Sequence, residues 1–330
     1  MSIIAMPMLC LGAGLFGLVW GADKFVDGSV GLARHFGISS LVIGLTVVSM
    51  GTSAPEVIVS VNAALENAGG LAVGNAIGSN LANIGLVLGI TALIASIPVN
   101  RALMRQEVPL LIVVTGLAGL CLYDGNLGRG ESVVLAFTVI PVLLVLANFK
   151  KADMVTDTDP STPAVAQANL KLSLGWLVFG LVILLLSAKL TVWGATSIAS
   201  QLGVSDLVIG LTVVAIGTSL PELAASVMSA IKGHHDIAVG NIIGSNLFNI
   251  LLVMTAAGAI APISLSQEVF YRDYISMTAM TALMVIIISI SLYRARQNHQ
   301  AATISRGFGI VLLLAYLGYY IILSPNFTVS

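Results

Sequence analysis

LVIGLTVVSMGTSAPE at residues 41–56 returns 166 residues later as LVIGLTVVAIGTSLPE at residues 207–222. At this offset Leu41 to Ile84 and Leu207 to Ile250 share 27 identities in 44 positions, more than chance produces. Weaker matches continue outward, pairing Ala22 with Ala188, Gly28 with Gly194, Gly37 with Gly203 and Glu107 with Asp273. The chain is an internal duplication, and each copy carries a proline and a glutamate inside an apolar run.

The 330 residues around this repeat are 57% hydrophobic and 9% charged, with a mean hydropathy of +1.02. So little charge cannot cover a surface in water, and the solvent that fits is a bilayer. Apolar stretches of about 20 residues, the length that crosses one, fall near 3–21, 40–64, 71–95, 107–122 and 131–148, then 173–193, 207–231, 237–260, 274–292 and 307–323. Runs such as Val133 to Ala147 are apolar almost throughout, whereas a membrane barrel alternates apolar and polar residues. The expectation is an all-α integral membrane protein of ten helices. The first span lacks a basic leader and reads as a retained helix, not a cleaved signal.

Five spans per copy is an odd number, so the second copy enters the membrane from the opposite side. Inverted repeats with Gly/Pro-interrupted helices build secondary transporters, whose ion sites lie near the midplane between the copies. The expected organisation is a first repeat at 1–148, a polar linker at 149–170 and a second, inverted repeat at 171–330, with spans 2, 3, 7 and 8 broken around a midplane ion site. Ten of the 14 Lys and Arg fall on the linker side and two on the other, which orients the linker to the cytoplasm and both termini outside. The linker is too short for a regulatory domain. Cys10 and Cys121 suggest packing, without disulfide or metal spacing. A net charge of −1 offers no footprint for nucleic acid.

The chemistry lies in two doubled motifs. Pro55 and Pro221 lack an amide donor and clash with the carbonyls four residues back, at Gly51 and Gly217, so carbonyls near the break can face a cavity. Irregular backbone at membrane depth is tolerated only there or inside protein. Glu56 and Glu222 each cost about 2.5 kcal/mol or more in hydrocarbon, and two at equivalent positions point to function. The alternative is a pair of protonated structural acids bonded across the pseudo-twofold. The second motif supplies Asn75, Ser79 and Asn83, and Asn241, Ser245 and Asn249, at i, i+4 and i+8, about 40° apart on one helix face. Calcium takes six to eight oxygens, carboxylates among them, and two ionised glutamates balance one Ca2+ or two Na+.

Gly51-Thr52-Ser53-Ala54-Pro55-Glu56, Gly217-Thr218-Ser219-Leu220-Pro221-Glu222 and the Gly-Ser-Asn blocks that follow them resemble the Ca2+/cation antiporter superfamily, in its sodium/calcium exchanger branch with bacterial relatives. The resemblance implies a secondary active antiporter of the plasma (inner) membrane exchanging Ca2+ for Na+ by alternating access, with spans one and six sliding over a fixed core. Carried onto matching positions, it implies Glu56 and Glu222 as central ligands with Thr52, Ser53, Thr218 and Ser219, then Ser79, Asn83, Ser245 and Asn249 around them, and the carbonyls of Ser49 and Ala215 completing the shell. Metal contact falls first to Glu56, Glu222, Thr52 and Thr218. Some relatives have an aspartate where Asn249 stands, which bears on stoichiometry.

Other readings stay open at this stage. A Ca2+/H+ or other cation/H+ antiporter would use the same two glutamates. Gly74, Gly78, Gly240 and Gly244 suit close helix packing, and Ser79 and Ser245 suit interhelical hydrogen bonds as well as ligation. Asn80 and Asn246 point about 60° away from Asn83 and Asn249 and read as support or packing. His234, His235 and Asp236 read as a solvated loop, and Asp23, Asp27, Glu107 and Asp273 as span-end acids, solvated or paired with Lys24 and Arg272. No enzyme activity, resident cofactor or obligatory protein partner is expected. The partners are Ca2+, Na+ and the lipid bilayer.

Overall fold

A computed structural model describes residues 4–153, 169–204, 209, 213 and 215–323. It is helical, with four two-residue strands at the helix ends. In chain order the helices are α1 (Ala5–Phe36), α2 (Ser40–Thr52), α3 (Ala54–Leu65), α4 (Gly69–Ile94), α5 (Arg101–Leu122), α6 (Arg129–Asp153), α7 (Leu170–Gln201), α8 (Ala215–Thr218), α9 (Leu220–Ile231), α10 (His235–Ile260), α11 (Val269–Asn298) and α12 (Arg306–Leu323). Among the described residues, eight helices are long and apolar enough to cross a membrane, and α2 with α3 makes a ninth across a 44° bend. Of the expected span 207–231, the first part lies mostly outside the described residues and the rest is α8 and α9. Large side chains such as Phe16, Leu120 and Ile321 are 73%, 78% and 71% exposed, the outward apolar surface that a lipid solvent requires.

The duplication holds at the level of elements. α3 and α9, α4 and α10, and the strands β1 (Ile97–Pro98) and β3 (Ile263–Ser264) have boundaries displaced by the same 166 residues. Strand β1 pairs antiparallel with β4 (Thr303–Ile304), and β3 with β2 (Asn126–Leu127), so each short sheet joins one half to the other.

Two expectations need correction. Spans 3 and 8 are not broken: α4 and α10 run continuously, and each contains a π-helical stretch, Asn83–Leu88 and Asn249–Met254. The extra residue per turn shifts the helix face without interrupting hydrogen bonding. The first span, expected to end near 21, continues to Phe36, where Gly37 closes it at φ 62°. Its charged residues interrupt the hydropathy but not the helix. The expected linker is helical through Asp153, Asn169 caps α7 by accepting from Lys171 and Leu172, and 154–168 lie outside the described residues.

Helices α4 and α10 are the most enclosed, and they share one apolar core with α5, α11 and α12. A second, smaller cluster forms where Leu18, Ala22, Phe25 and Val26 of α1 meet Leu177, Leu184 and Ala188 of α7. The two long helices lie antiparallel, and small residues let their backbones touch. A Cβ on Gly21 would stand 2.8 Å from the Leu184 nitrogen, and one on Gly28 would collide with the Leu177 nitrogen. Close backbone approach is a main source of helix association in lipid. Gly28→Leu therefore costs about 1–3 kcal/mol or more by overpacking and lowers the thermal midpoint of the detergent-solubilised protein. Gly12→Leu, where a Cβ meets nothing within 4 Å, leaves the midpoint unchanged.

Candidate ion-binding site

Each half interrupts its second helix in the same way. Ser53 adopts φ −83°, ψ 6° and Ser219 φ −89°, ψ 5°, so α2 ends before α3 and α8 before α9. The prolines stand in the first turn of the following helix, where a missing amide removes no helical bond. Glu56 and Glu222 occupy the same first turns, at the end where the helix dipole favours an acid. Both are 1% exposed.

Asparagines on the third helix of each half hold these turns. Asn75 donates to the Glu56 carbonyl at 3.1 Å and to the Ser60 hydroxyl at 3.2 Å. Asn241 donates to the Glu222 carbonyl at 3.3 Å and to the Ser226 hydroxyl at 2.9 Å. The halves then meet: the Ser53 hydroxyl donates to Glu222 Oε1 at 3.0 Å, and the Thr52 hydroxyl to Asn241 Oδ1 at 3.2 Å. Packing crosses over as well, since α3, carrying Glu56, contacts the π-helical stretch that begins at Asn249, and α9, carrying Glu222, contacts the one that begins at Asn83.

Of the buried polar atoms without a hydrogen-bond partner among the described residues, eight belong to the expected site residues: Glu56 Oε2, Glu222 Oε2, both amide atoms of Asn83 and of Asn249, and the hydroxyls of Ser219 and Ser245. Buried polar atoms are satisfied in more than about 90% of cases, so eight on these facing elements mark a built polar site. No group of three or more His, Cys, Asp or Glu comes together among the described residues. The site's charge is carried by two carboxylates, with neutral oxygens for the rest.

Of the other expected site residues, Ser79 and Thr218 border a cavity of about 80 Å³ whose far wall is Tyr316, Tyr319 and Tyr320. The Ser49 carbonyl already accepts from the Ser53 amide at 3.0 Å and the Thr52 hydroxyl at 3.4 Å, and Ala215 begins α8. Asn80 donates to the Asn246 carbonyl at 3.3 Å, and Asn246 to that of Ile242 at 2.7 Å, while the Oδ1 of each has no partner among the described residues. Sequence reasoning passed over Ser60 and Ser226, although both are polar positions kept identical in the repeat. It also passed over the three tyrosines, which have no repeat counterpart to signal them. Asp273 pairs with Arg272 at 2.7 Å as expected. Glu107 is not solvated but fully buried, on the part of α5 that packs against α10 and α11.

The halves differ in how closely they are packed. A Cβ on Gly244 would lie 2.5 Å from the Leu45 carbonyl oxygen and from Ser49 Oγ; for Gly78 the counterpart of Leu45 is residue 211, outside the described residues. Helix α1 packs on α9, but α7 stands off α3 across a cavity of about 620 Å³ reaching from Pro55, Ile58 and Val59 to Leu186, Lys189 and Trp193.

The profile of the family described as "Sodium/calcium exchanger protein" matches residues 6–147 and 172–324, which takes in both repeats. The chain belongs to the sodium/calcium exchanger family. It is 44% identical to CaxA of Alkalimonas amylolytica over 94% of this chain and 96% of that one. It is 29% identical to the sodium/calcium exchanger MaX1 of Methanosarcina acetivorans over 97% and 99%. A solved structure of the sodium-calcium exchanger NCX_Mj, soaked with zero Na+ and Ca2+, superposes with a TM-score of 0.81 at 32% identity, covering 96% of this chain and 98% of that one. As a member of the exchanger family this is a multi-pass membrane transporter, and its fold is that of the solved exchanger.

Within this exchanger the asparagines divide by what their amides do. Asn75→Leu and Asn241→Leu each remove one hydrogen bond to a glutamate carbonyl and one to a serine hydroxyl, costing about 1–3 kcal/mol, visible as a lower thermal midpoint. Asn83→Leu and Asn249→Leu remove atoms that have no partner and leave the midpoint level or higher.

Proposed function

We propose that this exchanger moves Ca2+ against Na+ across the membrane by alternating access, with Glu56 and Glu222 as the central ligands. The observation that carries the reading is the meeting of two buried glutamates, one from each repeat, each with a carboxylate oxygen that no described residue engages. Burying an uncompensated carboxylate costs several kcal/mol or more, and two in one site need a cation or protons. Their joint charge of −2 matches one Ca2+ or two Na+, and uneven neutral oxygens suit Ca2+. Thr52, Ser53, Thr218, Ser219, Ser79, Asn83, Ser245 and Asn249 form the rest of the shell. The Ser49 and Ala215 carbonyls join it, the former sharing its oxygen with its present donors.

The inverted plan of ten spans, two repeats at 1–148 and 171–330 and a cytoplasmic linker at 149–170 belongs to the same reading. The short sheets support the inversion. Strands β1 and β2 flank the spanning helix α5 and so lie at opposite ends of it, and β2 pairs with β3, the repeat counterpart of β1. Equivalent strands thus occupy opposite faces, as two copies of opposite direction require. The looser half, with its cavity between α7 and α3, supports one-sided access, and α1 with α7 is the unit that moves. Under the proposed orientation the open side is extracellular.

The likeness to the sodium/calcium exchanger MaX1 favours Na+ as the coupling ion, and the experiment keeps protons in view. In proteoliposomes preloaded with Na+, K+ or acid, 45Ca2+ uptake is expected with an outward Na+ gradient alone. Glu56→Gln or Glu222→Gln reduces it to the rate of empty vesicles. Uptake driven only by a pH gradient would transfer the assignment to cation/H+ antiport, and activity surviving both substitutions would remove the glutamates from the mechanism.

A further inference from the structure

Lys232, which follows α9, reaches Asp23 Oδ1 at 2.5 Å and Asp27 Oδ1 at 2.6 Å, both on α1, and donates to the Asp23 carbonyl at 3.0 Å. Lys24 adds a 2.8 Å pair to Asp23. These bonds fasten one helix of the α1 and α7 pair to the end of a helix that carries a central glutamate. The 166-residue offset maps Asp23 onto Lys189 of α7 and Lys232 onto Glu66, which follows α3. Both signs are exchanged, so the counterpart pair, Lys189 with Glu66, is also attractive.

That second pair is not formed here. Glu66 and Lys189 are exposed, and neither has an ion pair among the described residues. Lys189 lines the cavity between α7 and α3, level with Ile58 and Val59 and about two helical turns short of Glu66. On the other half the equivalent helices, α1 and α9, are packed together and fastened by Lys232. A preserved complementary sign, at positions with no ion-pair partner among the described residues, has a physical use if the two halves exchange arrangements.

We propose that Asp23 with Lys232, and Lys189 with Glu66, are alternate ion-pair latches, each closed in one access state and open in the other. They act as positioning residues: they touch no transported ion and set the balance between the two states. The inference rests on the alternating-access reading above. Each latch stabilises one state, so breaking one alone tilts the balance, and the exchange cycle slows because every turnover must visit both states.

The test is charge reversal of the pair that is open here. Lys189→Glu and Glu66→Lys, each alone, are expected to lower the maximal rate of Na+-driven 45Ca2+ exchange about threefold, the scale of a partly exposed ion pair. The Ca2+ concentration at half-maximal rate from the open side does not rise. The double reversal restores the rate. Single variants without effect, or a double variant as slow as the singles, would overturn the latch. A second measurement is independent of the coupling ion. With Cys10 and Cys121 replaced by Ser, Glu66→Cys with Lys189→Cys is oxidised in membranes, and crosslinking that increases when Ca2+ is added is expected. Crosslinking in no ion condition would overturn the latch. Crosslinking, where the chain with Glu66 and Lys189 intact shows no Na+-driven exchange, would leave the latch standing and reject the sodium-coupled reading.

Discussion

Two carboxylates enclosed together at membrane depth are the constraint from which the remaining structure follows. Like charges in a medium of low polarisability repel strongly, and each also loses its hydration. The protein meets this with fixed dipoles: the amino ends of α3 and α9 point at the acids, and Ser53 of one half donates to Glu222 of the other. None of these removes the negative charge that two ionised carboxylates carry, and the proposed role of both as cation ligands would balance it. The helix interruptions at Ser53 and Ser219 bring the amino ends of α3 and α9 to this depth.

The dipoles hold their aim because other residues hold the backbone. Asn75 and Asn241 fasten the turns that carry the glutamates, and Ser60 and Ser226 fasten the asparagines. Further out, Gly240 and Gly244 allow α10 to lie directly on the backbone of α2, so the polar residues of one half reach the other. The pair proposed to move is built differently. Helices α1 and α7 grip one another through glycines and keep an apolar cluster of their own, an arrangement that suits a unit shifting as a whole against a rigid core.

The site was legible in sequence wherever duplication acted as an internal control. Glu56 and Glu222, the proline turns and the Asn83 and Asn249 positions stood out because two copies kept them. Ser60 and Ser226 were kept as well, but an isolated serine in an apolar helix looks like filler until its partner's position is known. Periodicity failed where geometry changes without a change in residue type. The glycines of spans 3 and 8 looked like breaks, whereas the helices run on through π-helical stretches that begin at Asn83 and Asn249 and that no composition distinguishes from ordinary helix. The end of α1 was missed for an electrostatic reason. Asp23, Lys24 and Asp27 look like the edge of a span, and only Lys232, more than 200 residues away in sequence, shows that their charges are neutralised within the fold.

The short strands have a consequence for how the molecule is made. Strands β1 and β2 belong to the first half, yet their partners β4 and β3 lie in the second. On a ribosome the first half emerges with both strand edges unsatisfied, and it waits through the synthesis of α7 to α11 before β4 arrives. An unpaired edge is a template for wrong association, and a half-made membrane protein that exposes polar backbone is a natural client for insertion chaperones. Keeping each strand to two residues limits that hazard, since so short an edge captures little before its partner is translated.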